Sequence, residues 1–162
     1  MDDVDLLGQF LDLLHQERVR FCVIGGQGVN AYAEPVVSLD LDLVISAEDV
    51  DRLRRTLAQR FAVEEFAHSL NVSALNSDLR IQIQLDPRYA AFITRAADHV
   101  VLGERLPVAA IEDVLQGKVW AALDASRRAS KRQKDLADIS RLIESQPELR
   151  ARVPQALLDR LL

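Results

Sequence analysis

The sequence has 162 residues, a formal net charge of −5 at pH 7 and a hydrophobic fraction of 49%, which together fit one globular domain with an ample core. The acidic balance argues against a protein that coats nucleic acid, and the single cysteine, Cys22, excludes a disulfide framework or a cysteine-based zinc site. No apolar run could cross a membrane and the N-terminus is acidic, so we expect a cytoplasmic protein without membrane contact.

The first part of the chain alternates between helix and strand patterns. In chain order we predict a helix over residues 3–17, a strand over 20–24, a short helix over 27–33, a strand over 39–45 and a helix that ends near Arg60. Val4 and Leu7 belong to the apolar stripe of the first helix. Ser46 is expected to cap the helix that ends near Arg60, because Asp49 stands at the third helical position.

The last third of the chain has a helical period throughout. Before it we predict strands over 62–66, 71–75 and 79–85, a helix over 88–97 and a hairpin within 100–109. Within it we predict helices over 110–125, 131–145 and 154–161. This order predicts an α/β (α+β) fold, a small mixed β-sheet flanked by helices. We expect residues 1–109 to form the core and residues 110–162 to pack on it as a helical segment of the same compact domain.

Two aspartates on one strand are the most informative chemical feature. Residues 39–45 alternate between apolar and acidic, so Asp40 and Asp42 share one face of the predicted strand. Two carboxylates this close repel each other unless a cation lies between them. The simpler alternative is that both carboxylates form the solvated face of an edge strand, but this does not explain the preceding glycine pair, which suits a close backbone approach to a ligand.

The arrangement of these segments resembles the signature of the nucleotidyltransferase superfamily with the polymerase-β-like fold. That signature is a strand, a glycine pair, a short helix and Asp-x-Asp on the next strand, and here thirteen residues separate Gly26 from Asp40. The segment 108–118, which ends in Lys118, and the segment Lys134-Asp135-Leu136-Ala137-Asp138 also resemble the family's later motifs. Within the superfamily the chain resembles the small bacterial nucleotidyltransferases, including the AbiEii/AbiGii-type toxins.

The resemblance implies a transferase that moves a nucleoside monophosphate from a nucleoside triphosphate to an acceptor, with Mg²⁺ or Mn²⁺ as cofactor. The acceptor would be an RNA such as tRNA, a protein or a small molecule, and a toxin role would imply a cognate antitoxin. Catalysis in such reactions is positioning and charge neutralisation. The implied roles are metal binding and catalysis by Asp40 and Asp42, triphosphate binding by Gly25, Gly26, Ser38, Lys118 and Lys134, and support of the site by Asp135.

The sequence departs from the family pattern at the third carboxylate. That residue is expected on the strand over 79–85, where Arg80, Gln82 and Gln84 occupy the polar face. Glutamine cannot act as a base and binds Mg²⁺ weakly. Asp86 continues the same face and is the candidate for the missing catalytic carboxylate, although it also suits the start of a turn. The alternative function is therefore a catalytically impaired module that binds nucleotide, RNA or a protein partner.

A cluster of basic residues precedes the second C-terminal helix. Arg127, Arg128, Lys131, Arg132 and Lys134 lie within eight residues that include no acid. One interpretation is a patch that faces phosphate or RNA near the site. The other is a solvated loop and first helical turn.

Overall fold

The structure is a computed structural model that describes residues 5–161. A seven-stranded mixed sheet forms its centre. The strands are β1 (Phe21–Ile24), β2 (Asp40–Ile45), β3 (Ala62–Glu65), β4 (Ser69–Ser73), β5 (Arg80–Gln84), β6 (Ala97–Val101) and β7 (Glu104–Val108). Their order across the sheet is β3-β4-β5-β2-β1-β7-β6. Strand β2 is central, antiparallel to β1 and parallel to β5.

Helices flank the sheet and make up most of the C-terminal third. They are α1 (Leu6–Gln16), α2 (Gly25–Asn30), α3 (Ala47–Arg60), α4 (Ile111–Leu123), α5 (Ala129–Ser145) and α6 (Gln155–Leu158), with 3₁₀ helices at Pro87–Arg95 and Pro147–Arg152. The predicted mixed sheet with flanking helices is confirmed. None of the helices within residues 5–161 has the length and apolar character needed to cross a membrane. The division of the chain into a core over residues 1–109 and a helical segment over residues 110–162 stays a prediction.

Side-chain caps and apolar stripes account for the helices before the site. Asp5 caps α1 by accepting a hydrogen bond from the Gly8 amide at 2.7 Å. Ser46 caps α3 by accepting one from the Asp49 amide at 3.2 Å, as predicted. The inward face of α1 includes the buried Leu7, whereas Val4 lies outside the described residues.

The register of the central strands separates an apolar face from a polar one. Leu41 and Leu43 of β2 are fully buried and pair with the equally buried Ile81 and Ile83 of β5. Burying each such side chain contributes about 1.5–3 kcal/mol, which makes this register strongly preferred. The opposite face of β2 must then carry its two carboxylates, beside the polar residues of β5.

The largest local difference from the sequence prediction lies after β5. The predicted helix over 88–97 is a 3₁₀ helix that begins at Pro87, and Ala97 already belongs to β6. Asp86 ends the extended segment and accepts a hydrogen bond from the Arg88 amide at 3.0 Å, so the chain turns there. Proline at the first helical position fixes that turn. The predicted hairpin is present, and its turn is at Leu102 and Gly103, whose φ angles are 52° and 80°.

Candidate active site

A deep cleft lies between the centre of the sheet and the C-terminal helices. We call it the main cleft; its volume, open mouth included, is about 1050 Å³. The sheet side contributes the end of β1, the start of β2 and the polar face of β5. Its polar and glycine residues include Gly25, Gly26, Ser38, Asp40, Asp42, Gln82, Gln84, Lys118, Arg127, Lys131, Lys134, Asp135, Asp138 and Arg141.

The structure therefore brings together all of the residues predicted for the site except Asp86. They come from four regions of the chain that only the fold makes adjacent: the β1–α2 junction, the start of β2, α4 and α5. Their catalytic and binding roles stay predictions at this point. Their convergence on one cleft is a finding.

Asp42 lies half-buried in the main cleft without a cationic partner of its own. Among residues 5–161, no side chain is within ion-pair distance of its carboxylate. Burial raises the pKa of Asp42 and the charge of Asp40 raises it further, while Lys118, Arg127 and Lys131 act in the opposite direction. The carboxylate would thus gain from a cation placed beside it.

Asp40 sits at the start of β2, where two side chains orient it. Its backbone amide donates to the Ser38 hydroxyl at 3.1 Å, and Gln27 donates to the Ser38 carbonyl oxygen at 3.2 Å. Its carboxylate accepts a hydrogen bond from Arg80 Nε at 2.8 Å. Because Arg80 is largely exposed, this pair contributes little to stability and can open for a ligand.

Gly25 lets the backbone approach the carboxylate of Asp42. Its φ angle is +67°, and a Cβ built on it would lie 2.2 Å from Asp42 Oδ2. Any other residue would both strain the backbone and displace the carboxylate. Gly26 has no atom within 4 Å of its corresponding Cβ position, so its side faces open space.

Lys118 on α4 is held by two carboxylates of α5. Its Nζ lies 3.1 Å from Asp135 Oδ1 and 2.9 Å from Asp138 Oδ2, and none of the three side chains is more than 11% exposed. Burial alone would lower the pKa of Lys118, but the charges of Asp138 and Asp135 outweigh it and the pKa is raised. The cleft therefore has a fixed, charged lysine in its wall.

Two arginines complete this buried network. Arg127 donates two hydrogen bonds to Asp135, at 2.9 and 3.1 Å, and Arg141 pairs with Asp138 at 2.8 Å. Arg141 also donates to Asn30 Oδ1 at 2.7 Å and to a backbone carbonyl in the loop that follows α2. Arg141 is absent from the residues predicted for the site; its i,i+3 spacing from Asp138 was the available signal.

The strand position expected to carry a third carboxylate holds a glutamine. Gln82 is in register with Asp42 on the neighbouring parallel strand and lines the same cleft. Asp86 does not line the cleft, and Arg88 holds its carboxylate through Nε at 3.1 Å and an η nitrogen at 2.9 Å. These hydrogen bonds lower the pKa of Asp86. In this structure Asp86 thus caps a turn beside the cleft, and its role as the third catalytic carboxylate stays a prediction.

The donors of the main cleft fit a hard divalent cation that also binds a phosphate. Asp40 and Asp42 supply two carboxylates, and no group of three His, Cys, Asp or Glu side chains within residues 5–161 could hold a metal alone. Mg²⁺ is commonly held by one or two carboxylates together with substrate phosphates and water. The uncompensated charge around Asp42 suits such an ion, and a closed all-protein metal cage does not fit.

The basic cluster divides into two groups. Arg127 is neutralised by Asp135, and Arg132 donates to the carbonyl oxygens of Ala122 and Asp124 at 3.1 and 2.8 Å. The exposed side chains of Arg128, Lys131 and Lys134, by contrast, have no acidic partner within residues 5–161. Part of the cluster is therefore tied into the fold, and the interpretation that its exposed cations face phosphate or RNA stays a prediction.

Several solved structures share this architecture. The antibiotic-resistance factor ANT(2'')-Ia matches with a TM-score of 0.58 and 14% identity over 96% of this chain and 94% of that one. The lincosamide antibiotic adenylyltransferase LnuA matches with a TM-score of 0.56 and 12% identity over 87% and 99%. An antigenic nucleotidyltransferase-like protein from Paracoccidioides brasiliensis matches with a TM-score of 0.52 and 13% identity over 84% and 72%.

No protein-family model matches the sequence, and no curated protein matches it either. The likeness to the solved structures is one of fold, because the identities are only 12–14%. It extends over nearly the full length of both chains in the case of ANT(2'')-Ia. The seven-stranded sheet and its flanking helices thus have the nucleotidyltransferase fold, as the sequence motifs predicted.

Proposed function

We propose that the protein is a metal-dependent nucleotidyltransferase, which transfers a nucleoside monophosphate from a nucleoside triphosphate to a hydroxyl group. The observation that carries this proposal is the pair of carboxylates, Asp40 and Asp42, on one face of β2 in a cleft that also has unpaired cations. A cleft with both features suits a metal-bound, negatively charged substrate. The shared fold of known nucleotidyltransferases supports it.

In the proposed reaction the acceptor oxygen forms a bond to the α-phosphorus. The bond between that phosphorus and the oxygen bridging to the β-phosphate breaks, and pyrophosphate leaves with the electron pair. The hydroxyl proton passes to water, because Gln82 and Gln84 have no basic group. A divalent ion held by Asp40 and Asp42 would supply charge neutralisation for the phosphate oxygens.

The chain's own residues bind and orient the triphosphate. Gly25 and Gly26 line the cleft, where their backbone N–H groups suit phosphate oxygens. Lys118 is fixed and charged in the wall, so its position costs no reorganisation when a phosphate arrives. Lys134 is exposed and its long side chain can follow the phosphates, and Ser38 offers a hydroxyl beside the first aspartate.

The acceptor could be an RNA, a protein or a small molecule. ANT(2'')-Ia has been solved in complex with adenylyl-2''-tobramycin and LnuA with lincomycin bound, so small molecules are acceptors or ligands of proteins with this fold. A toxin role with a cognate antitoxin stays a prediction from the sequence resemblance.

The second candidate is a non-catalytic module that binds nucleotide or RNA. Two observations favour it: Gln82 stands beside Asp42, and Arg80 pairs with Asp40. With a glutamine at the position of the catalytic base and Asp40 paired with Arg80, the protein would bind a nucleotide without transferring it.

Thermal stability measured with each nucleoside triphosphate, alone and with Mg²⁺ or Mn²⁺, tests the shared part of both candidates. We expect a rise in Tm that needs both the nucleotide and the metal, because binding to the folded state stabilises it. No shift with any triphosphate would contradict both the enzyme and a nucleotide-binding module. Transfer of an α-phosphate label to total RNA, to the protein itself or to a small molecule then distinguishes the enzyme from the module.

A further inference from the structure

A second cavity adjoins the main cleft on the side of β4 and β5. We call it the side cavity. It shares Asp40, Gln82, Lys131 and Lys134 with the main cleft, and the residues that belong to it alone include Asn71, Arg80 and Arg128. The shared residues place Asp40 at the junction of the two spaces. A group bound in the side cavity therefore approaches the same carboxylate from the other side.

The charge of the side cavity opposes that of the chain. Four cationic side chains line it, those of Arg80, Arg128, Lys131 and Lys134, together with one carboxylate, that of Asp40. The whole chain has a net charge of −5, so this concentration of positive charge is local. Arg80 pairs with Asp40, whereas Arg128, Lys131 and Lys134 have no acidic partner within residues 5–161. Such cations around a concave surface favour an anionic ligand.

The first turn of α5 adds to this positive potential. Arg128 is the N-cap residue of α5, and its side chain does not cap the helix. No side chain at the cap therefore accepts a hydrogen bond from the backbone N–H groups of the first turn. These groups lie at the positive end of the dipole of a 17-residue helix. An anionic group in the side cavity lies close to that turn, since Ser130 and Lys131 line the cavity.

A hydrogen-bond acceptor in the same cavity lacks a donor. Asn71 lies on β4, in register with Gln82, and its side-chain oxygen is buried without a hydrogen-bond partner within residues 5–161. A phosphate cannot satisfy this oxygen, because an ionised phosphate has no proton to donate. A ligand that carries both a phosphate and hydroxyl or amino donors can.

We propose that the side cavity binds the acceptor, and that the acceptor carries a phosphate near its hydroxyl, as a nucleotide or the 3′ end of an RNA strand does. The inference rests on the proposed function, since an acceptor exists only if the protein transfers a nucleotide. The four cations hold the acceptor phosphate, Asn71 accepts from a hydroxyl or base amine, and the reacting hydroxyl lies toward Asp40. The acceptor oxygen then attacks the α-phosphorus as described above.

The same charges disfavour a polycationic acceptor. Tobramycin, whose adenylylated form occupies a solved complex of ANT(2'')-Ia, carries several amino groups that are protonated near neutral pH. In the side cavity these groups would meet Arg80, Arg128, Lys131 and Lys134 with only Asp40 to offset them. The cavity of this chain thus selects against that acceptor class while sharing the fold.

The test compares two arginine variants with the main cleft already filled. Arg128→Ala removes a cation that lines the side cavity alone, and Arg55→Ala removes an exposed cation of α3 that lines neither cavity. With α,β-methylene ATP and Mg²⁺ saturating the main cleft, binding of a labelled short single-stranded RNA is measured over a series of salt concentrations. Adenosine monophosphate and tobramycin are added as competitors.

We expect wild-type protein to bind the RNA with a marked salt dependence and Arg128→Ala to bind it several-fold more weakly. The slope of log affinity against log salt should fall by about 1 in Arg128→Ala and stay unchanged in Arg55→Ala. If adenosine monophosphate competes at low concentration, the acceptor is a small nucleotide. If it does not compete, the acceptor is an RNA strand. Both results support the inference. Equal RNA binding by the two variants would overturn it.

Transfer measured in parallel separates this inference from the proposed function. Label from an α-labelled triphosphate should reach RNA or adenosine monophosphate and not tobramycin. Transfer to tobramycin with no labelling of a phosphate-bearing acceptor would overturn the inference and leave the proposed function intact. Loss of all transfer, with Arg128-dependent RNA binding retained, would contradict the proposed function and leave the anion-binding cavity in place.

Discussion

The backbone of Gly25 packs against the carboxylate of Asp42, so that a Cβ on the glycine would lie 2.2 Å from Asp42 Oδ2. The two residues are brought together by the antiparallel pairing of β1 with β2, in which Ile24 faces Asp42. The glycine pair and the Asp-x-Asp motif are thus parts of one structural unit. The contact explains why the residue that follows β1 is a glycine.

Gly25→Ala should damage both folding and the site, whereas Gly26→Ala should not damage folding. The first variant adds a Cβ where the carboxylate lies and forces a residue with a side chain into φ +67°; the expected loss of stability is about 1–3 kcal/mol. The second adds a Cβ into open space. Urea denaturation of both variants checks this. Equal stability of the two would show that the close approach is not needed.

Asp42→Asn should make the metal-free protein more stable while abolishing transfer. Because burial and Asp40 raise the pKa of Asp42, its ionised form is disfavoured in the folded state at neutral pH. Removing that charge should therefore raise Tm, and each 1 kcal/mol of added stability corresponds to roughly 2–4 °C in a chain of this size.

The pH dependence of that stabilisation has a defined sign. The folded-state pKa of Asp42 lies above the unfolded value, so the folded state binds more protons between the two values. The contribution of this carboxylate to stability is therefore present at low pH and lost as pH rises through the folded pKa. Thermal melts from acidic to neutral pH should show the advantage of Asp42→Asn growing as pH rises. An advantage that shrinks would contradict the account.

Lys118→Met should destabilise the protein, and Lys134→Met should not. Lys118 is buried and its removal leaves Asp135 and Asp138 with less compensating charge, at an expected cost of about 3 kcal/mol. Lys134 is exposed and has no acidic partner within residues 5–161, so its loss should stay within about 0.5 kcal/mol. Denaturation midpoints give the comparison. Both variants should raise KM for the triphosphate, since both residues line the main cleft.

Gln82→Asp should increase the transfer rate. The variant adds a carboxylate in register with Asp42 that can take the acceptor proton and bind metal, and general-base catalysis contributes about 10²–10⁴-fold. The metal-free variant should be less stable than wild type, because three carboxylates then share the site. The rate of pyrophosphate release as a function of pH measures the gain. Gln82→Asn serves as the matched control and should give no increase.

Local signals in the sequence predicted much of the fold and the position of the site. Alternation in β2, the Ser46 cap and the helical period of the C-terminal third depend on neighbours in sequence, and the structure follows them. The role of Asp86 could not be read this way, because the same residue suits a strand face or a turn. Arg88 decides between the two by holding its carboxylate.

Contacts between segments that are far apart in the chain could not be predicted from the sequence. Arg141 joins α5 to Asn30 and the following loop across more than a hundred residues, and no local pattern indicates such a contact. The side cavity is similar, since Asn71 of β4 and Arg128 at the start of α5 line one cavity only in the folded chain. The basic cluster was visible in the sequence, but only the fold shows which of its members are neutralised.

The central claim is nucleotidyl transfer, and the position of a radioactive label in the triphosphate tests it most directly. Wild-type protein with Mg²⁺ is incubated with total RNA and with triphosphate labelled at either the α- or the γ-phosphate. We predict that the α label becomes attached to the acceptor, that the γ label leaves as pyrophosphate, and that Asp40→Ala and Asp42→Asn abolish the attachment. Attachment of the γ label, or of the α label in the aspartate variants, would contradict the account.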